Sequence, residues 1–522
     1  MPTRIDASTT KRLIHGAAEV AFVDVREHGE HGEGHPLLSV GIPYSRLELD
    51  APVLIPRRAT PTILLDDGDG RAERAAARLE GLGYTDVRVL DGGTGAWAAA
   101  GHTLYKGVNV PSKAFGELVE HASHTPSIGA EELAAMRARG EDIVILDGRS
   151  PAEYRNMSIP DGVSCPNAEL GYRIDAVAPD ARTTVVVNCA GRTRSIIGAQ
   201  TLIDLGVPHK VVALRNGTMG WRLAGLDLDH GATRSYPRQV PDAARATARE
   251  RAAALAARAG VSFVNDATLQ IWQADASRTL YLLDVRAADE FEAGHLPGSR
   301  HAPGGQLVQG TDQWVAVRGA RIVLVDDAEV RAVTTAYWLG RMGHDVHVLR
   351  GGLDGALERG PVAAALLDGC APALAQLPVA AVVADVASGR VRLVDVRTST
   401  SHRKAHPQGA RWLTRCRAVD LDRGAPIVLL TDDDALARLV ARDLAESGHE
   451  VRGAVAGDAD AWRDAGHAVV ASPDSPPDAE CIDYLFFVHD RHAGNLAAAQ
   501  AYLDWETGLV GQLDADERAL FT

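Results

Sequence analysis

Short aliphatic runs, each closed by a polar residue, alternate along this chain with stretches whose apolar positions recur at helical spacing. One kind of run ends in Asp-x-Arg and occurs four times: Phe22 to Arg26, Ile145 to Arg149, Leu282 to Arg286 and Leu393 to Arg397. A second run follows each time, at Ile63 to Leu65, Val185 to Val187, Ile322 to Val325 and Ile427 to Leu430. Helical patterns come next, such as Arg71 to Leu82, Ser195 to Leu205 and Val330 to Arg341, with a glycine C-cap at Gly83, Gly206, Gly343 and Gly448. A third strand is predicted over Val87 to Leu90, Val211 to Leu214, Val346 to Leu349 and Val451 to Val455. Turns opening another helix then follow at 92–97, 216–221, 351–355 and 457–462. Short β-branched strands alternating with helices predict parallel sheets covered on both faces.

The spacing makes this a repeat. From the Asp of Asp-x-Arg to the residue closing the second strand is 42 positions in three copies (24 to 66, 147 to 189, 284 to 326) and 36 in the fourth (395 to 431). The closing residues are Asp66, Cys189, Asp326 and Thr431, so one copy alone carries a thiol.

A length of 522 residues is too great for one core and agrees with several domains. The net charge of -15 argues against binding nucleic acid or an anionic membrane. No stretch is apolar enough for a membrane helix, and the polar start, Met1 to Lys11, does not read as a secretory signal, so a cytoplasmic location is expected. The five cysteines form no CxxC pair, which indicates neither a disulfide framework nor a metal site, and no cofactor is expected.

Cys189-Ala190-Gly191-Arg192-Thr193-Arg194-Ser195 follows a strand and opens a helix. There, successive backbone N–H groups and the helix N-terminus point at the sulfur and favour a thiolate or a bound anion. No acid occurs from Ala181 to Ile203, so Arg192 and Arg194 are read as added positive charge.

On these motifs, with Glu290 to Gly298 in the third copy and the Gly-rich turns before Trp97 and Trp221, the chain resembles the rhodanese (sulfurtransferase) superfamily. The match is to members with four tandem rhodanese-like domains. The resemblance implies an α/β fold with four domains, each a mainly parallel sheet flanked by helices, over 1–108, 122–232, 258–362 and 374–470, then a C-terminal helical tail over 478–522. It implies thiosulfate as donor and cyanide or a thiol, small or on an acceptor protein, as recipient. Sulfur would pass through a persulfide on Cys189 by ping-pong transfer. Ala190 to Ser195 are expected to bind the donor, and Arg155 and Arg173 lie in segments that approach the active-site rim in the family. The related phosphatases carry Cys-x5-Arg. Here four residues separate Cys189 from Arg194, and the smaller amide ring suits sulfur better than a phosphate or arsenate ester. A non-enzymatic persulfide sensor or interaction scaffold is the alternative reading.

The remaining candidates have structural readings. Asp147 and Arg149 recur in all four copies and read as an ion pair, Gly217, Gly220 and Trp221 as turn and packing, and Cys165 as core. His28, Glu30, His31, Glu33 and His35 mimic a metal cluster but read as an exposed polar loop, and the tail's His489, Asp490 and His492 have no assigned chemistry. In the second copy Met157-Ser158 stands where the third has Gly294-His295. The cysteine-less loops are expected to be silent, since carboxylates there repel an anionic donor. Building active-site walls, docking an acceptor and homodimerisation are the uses left open to those copies.

Overall fold

In the second repeat, the alternation of a strand separates Val185 and Val187 from Val186, and all three are fully buried. Val185 and Val187 pack with Leu146, Leu170 and Leu202 on one face of the sheet, and Val186 with Leu133, Ile145 and Trp221 on the other. A strand covered on both faces has no solvent side, which is why the run is continuously apolar. The structure is a computed structural model and describes residues 2–361, 370–490 and 495–522.

The sheet of this repeat runs Ser127–Ile128, Val211–Leu214, Thr184–Asn188, Ile143–Asp147, Val163–Ser164, with every neighbouring pair parallel. The third repeat keeps that order with Ser262–Val264, Asp345–Leu349, Arg321–Val325, Leu280–Asp284 and Arg300–His301. So does the first, with Thr3–Ile5, Val87–Leu90, Thr62–Leu65, Val20–Asp24 and Val40–Gly41. In the fourth, Val451–Ala456, Ile427–Thr431, Arg392–Asp395 and Arg411–Trp412 are parallel, and a single bridge from Gln376 to Ala454 stands at the edge where the others have a strand. The first and fourth sheets belong to one compact unit, and the second and third, with the linker helices and the tail from Phe487 on, to another.

The Asp-x-Arg motif is a clamp. In each repeat the Arg pairs with its Asp, as Arg149 does with Asp147 at 2.7 Å. It also donates to the carbonyl eight residues on, that of Gly34, Met157, Gly294 or Ala405. The pair therefore ties the following helix end to the strand whether or not a cysteine is present. Met157-Ser158 keeps this turn: Ser158 bridges Asp229 as His295 bridges Glu358.

The loop helices span Arg71–Gly81, Thr193–Asp204, Val330–Arg341 and Asp434–Glu446, the second starting before the predicted Ser195. Gly83, Gly206, Gly343 and Gly448 all have φ between 72° and 88° as caps require. The helix Val110–Ser123 precedes the second repeat, and Leu496–Gly508 lies in the tail. One expectation is corrected: the segment read as an exposed loop forms a helix, His28–Glu33, with His31 and His35 buried. His31 Nδ1 bonds Asp24 at 2.8 Å and its ring stacks on His35, so these histidines serve the clamp of the first repeat. Cys165 lies in the core beneath the second sheet, where burial pushes its thiol well above the usual range. His492, and position 362 at the end of the expected third domain, lie outside the described residues.

Candidate active site

The strand Thr184–Asn188 delivers Cys189 at the carboxyl end of the second sheet, and the next helix begins at Thr193. The loop between them is held from several sides. Thr218 and Met219 donate their amides to the carbonyls of Cys189 and Ala190 at 2.9 and 3.0 Å. Gly217 makes this approach at φ 52°, and a Cβ there would meet the Cys189 oxygen at 2.2 Å. Asn167 Nδ2 donates to the Arg194 carbonyl at 2.9 Å, and Gly148 N to that of Asn188 at 2.8 Å. Gly116 of the preceding helix lets Thr193 approach, since a Cβ on it would lie 2.9 Å from the threonine methyl.

The cysteine-less repeats reveal where the loop amides point. Asp66 accepts from the amides of Gly68 at 2.8 Å and Ala72 at 2.9 Å. Asp326 accepts from Arg331 N at 2.8 Å and Ala332 N at 3.4 Å, and Thr431 Oγ1 from Asp433 N at 2.9 Å. Asp66 and Asp326 each take two amides of their own loop, and Thr431 takes one, while Asp433 takes the Leu436 amide. The same offsets from Cys189 fall on Gly191, Arg194 and Ser195, whose amides enter no turn or cap hydrogen bond among the described residues. The first amides of a helix have no acceptor inside it, so the second repeat keeps donors that the others consume internally. Ser195 Oγ is also buried with no partner.

The two loop arginines differ from the free positive charge read in the sequence. Arg192 pairs with Glu117 at 2.6 Å and with Glu120. Arg194 grips Glu153 with both terminal nitrogens, at 2.7 and 2.8 Å, and reaches Gln306 Oε1 at 3.2 Å. Burial works to lower the Arg194 pKa, and Glu153 outweighs it and holds the guanidinium above its ordinary value. Burial likewise works to raise Glu153, and Arg194 outweighs it and holds the carboxylate well below its usual range. Both arginines therefore stay charged but arrive already matched. The absence of acids in the loop itself concealed this, because the carboxylates come from other elements.

Cys189 is 2% exposed and opens on a cavity of about 180 Å³. The loop residues Ala190 to Arg194 line it, with Lys113 of the preceding helix, Gln306 and Gln309 of the third repeat, and Tyr502 and Glu506 of the tail. Lys113 is 5% exposed, its ammonium 5.2 and 5.6 Å from the rings of Tyr502 and Trp505. Among the described residues no carboxylate pairs with it, so it is the cation of the cavity whose charge is not matched. Thr193 Oγ1 donates to Glu506 Oε1 at 2.8 Å. Sequence reasoning missed Lys113, Gln306 and Glu506, for which the chain carries no local signal, and Glu153, which the repeat could have found: Glu30, Glu153 and Glu290 stand at matching positions and pair with Arg71, Arg194 and Arg331. Arg155 and Arg173 do not line this cavity. They line another, where Arg155 is exposed and Arg173 pairs with Glu169 at 2.8 Å beside Tyr236.

The family model for the rhodanese-like domain matches residues 6–100, 129–224 and 267–358. A crystal structure of a thiosulfate sulfurtransferase from Pseudomonas aeruginosa superposes with a TM-score of 0.92 at 43% identity, covering 100% of this chain and 99% of that one. Another thiosulfate sulfurtransferase sequence from that organism is 28% identical over 222 residues, 38% of this chain and 76% of that protein. An HTH-type transcriptional regulator from Mycobacterium tuberculosis is 32% identical over 106 residues, and the chain spans 46% of its length. With the family model on more than half of its length, the chain belongs to the rhodanese-like family.

Proposed function

We propose that this protein is a thiosulfate sulfurtransferase in which Cys189 carries the sulfur. The observation that carries this reading is the open nest: in the cysteine-less repeats Asp66, Asp326 and Thr431 accept from loop amides, whereas the amides of Gly191, Arg194 and Ser195, at the matching positions, enter no turn or cap hydrogen bond among the described residues. The full-length similarity to a thiosulfate sulfurtransferase supports it.

The Cys189 thiolate attacks the outer sulfur of thiosulfate. A bond forms between Sγ and that sulfur, the bond within thiosulfate breaks, and its electron pair leaves with sulfite. The amides of 190–195 hold the resulting persulfide anion through the nest. Lys113 holds the sulfonate end, because Arg192 and Arg194 are engaged by carboxylates. Arg194 serves instead to fix the loop between Glu153 and Gln306. A thiophilic acceptor then removes the outer sulfur and regenerates the thiolate.

The four repeats are assigned as four domains, the second carrying the chemistry and the third supplying a cavity wall through Gln306 and Gln309. The cavity suits a small-molecule donor and acceptor. A cytoplasmic setting fits five free cysteines, which a reducing compartment keeps as thiols.

The test is turnover of thiosulfate and cyanide to thiocyanate by the wild type and Cys189→Ser. The expected loss is at least about 10³-fold, as for removal of a covalent nucleophile. Equal rates in the two proteins, or hydrolysis of an aryl phosphate that depends on Cys189, contradict the reading.

A further inference from the structure

Glu506 is 2% exposed, yet among the described residues its Oε2 has no hydrogen-bond partner, while Oε1 is held by Thr193 at 2.8 Å. The free oxygen lies over the loop, 2.9 Å from where a Cβ on Gly191 would stand. Gln309 Oε1, on another wall of the same cavity, is likewise buried without a donor. A buried acceptor left unpaired is costly, and such exceptions ask for an explanation. The nearby cations do not supply one: Arg192 is taken by Glu117, Arg194 by Glu153, and Lys113 rests on aromatic rings. A ligand carrying N–H donors would satisfy both oxygens.

Resting on the sulfurtransferase reading, we infer that the acceptor is a small thiol bearing a protonated amine, whose ammonium binds Glu506 Oε2 and Gln309 Oε1. Thiosulfate has no N–H to offer, so this demand belongs to the second half of the ping-pong cycle. After sulfite leaves, the acceptor thiol attacks the outer sulfur of the Cys189 persulfide. A new S–S bond forms on the acceptor, the Sγ–S bond breaks, and its electron pair returns to Sγ. The thiol proton stays on the product persulfide, so atoms and charge balance with no external oxidant or reductant. When the acceptor is an amino acid, its carboxylate meets Lys113, which sulfite has vacated. Glu506 thus repels anionic acceptors and selects zwitterionic ones.

The test compares kcat/KM for cysteine and N-acetylcysteine as acceptors in the wild type and in Glu506→Gln. Taking the wild-type ratio relative to the variant's cancels the intrinsic reactivity of the two thiols. The preference for cysteine is expected to fall about tenfold or more in Glu506→Gln, the scale of one charged hydrogen bond, and less in Glu506→Asp. Independently of any variant, serine is expected to inhibit the wild type competitively against cysteine, and N-acetylserine is not. An unchanged ratio together with no inhibition by serine overturns the inference and leaves the two oxygens to ordered water. Sulfur uptake from thiosulfate is read by mass on the same samples. A wild type that takes up no sulfur contradicts the sulfurtransferase reading itself, whereas a loaded protein indifferent to the amine contradicts only this inference.

Discussion

At the scale of single residues, the loop shows how little a charge says until its partner is known. Arg192 and Arg194 stand beside Cys189 in sequence, but each is bound to a glutamate. Lys113, 76 positions before Cys189, holds an ammonium over the rings of Tyr502 and Trp505, with no carboxylate paired to it among the described residues. Lys113→Met is therefore expected to raise KM for thiosulfate about tenfold, the ~1.4 kcal/mol scale of one charge-assisted contact, with little change in kcat. Steady-state kinetics check this. An unchanged KM would return donor binding to the loop amides alone. The place of Cys189, after a strand and before a helix, was legible in the sequence from local marks, the preceding valines, the glycine and the helix start, together with the matching positions of the other three copies. Its surroundings were not, because Arg192 meets Glu117 across 75 positions and Thr193 meets Glu506 across 313. No periodicity or spacing encodes such contacts. Arg155 and Arg173 illustrate the same limit, since a rim position inferred from a family does not fix which cavity a side chain enters.

At the scale of elements, the four loops share one backbone plan and differ in what fills the amide nest. The strand, loop and helix were legible because a buried parallel strand must be apolar throughout and a helix must end at a residue tolerant of positive φ. The internal filling by Asp66 and Asp326 is not legible in the sequence, where those carboxylates read only as repelling an anion; in the structure they also take the loop amides. Gly217 gives this scale its prediction. Its positive φ and the 2.2 Å approach to the Cys189 carbonyl make Gly217→Ala displace the loop, at about 2 kcal/mol or more of stability and with most sulfur transfer lost. Gly206→Ala shares the positive φ but meets nothing within 4 Å, and is expected to cost about 1 kcal/mol while activity persists. Thermal denaturation with parallel assays distinguishes the two. Equal behaviour would show that loop position does not depend on the Gly-rich turn.

At the scale of the whole molecule, the repeats have diverged in chemistry while keeping their sheets. Within the unit that holds Cys189, the third repeat and the tail have become walls of one cavity, through Gln306, Gln309, Tyr502 and Glu506. That use could not be read from the sequence, which showed the loss of cysteine but not what a cysteine-less copy packs against. Among the other thiols, Cys165, Cys416 and Cys481 are buried and burial pushes all three up, Cys416 to about 12. The account therefore requires that one cysteine of five take up sulfur. The most direct measurement is intact and peptide mass after brief exposure of the full-length protein to thiosulfate. The account predicts a gain of one sulfur, on the peptide containing Cys189, absent from Cys189→Ser and removed by an acceptor. No gain, or a gain on any other cysteine, would contradict it.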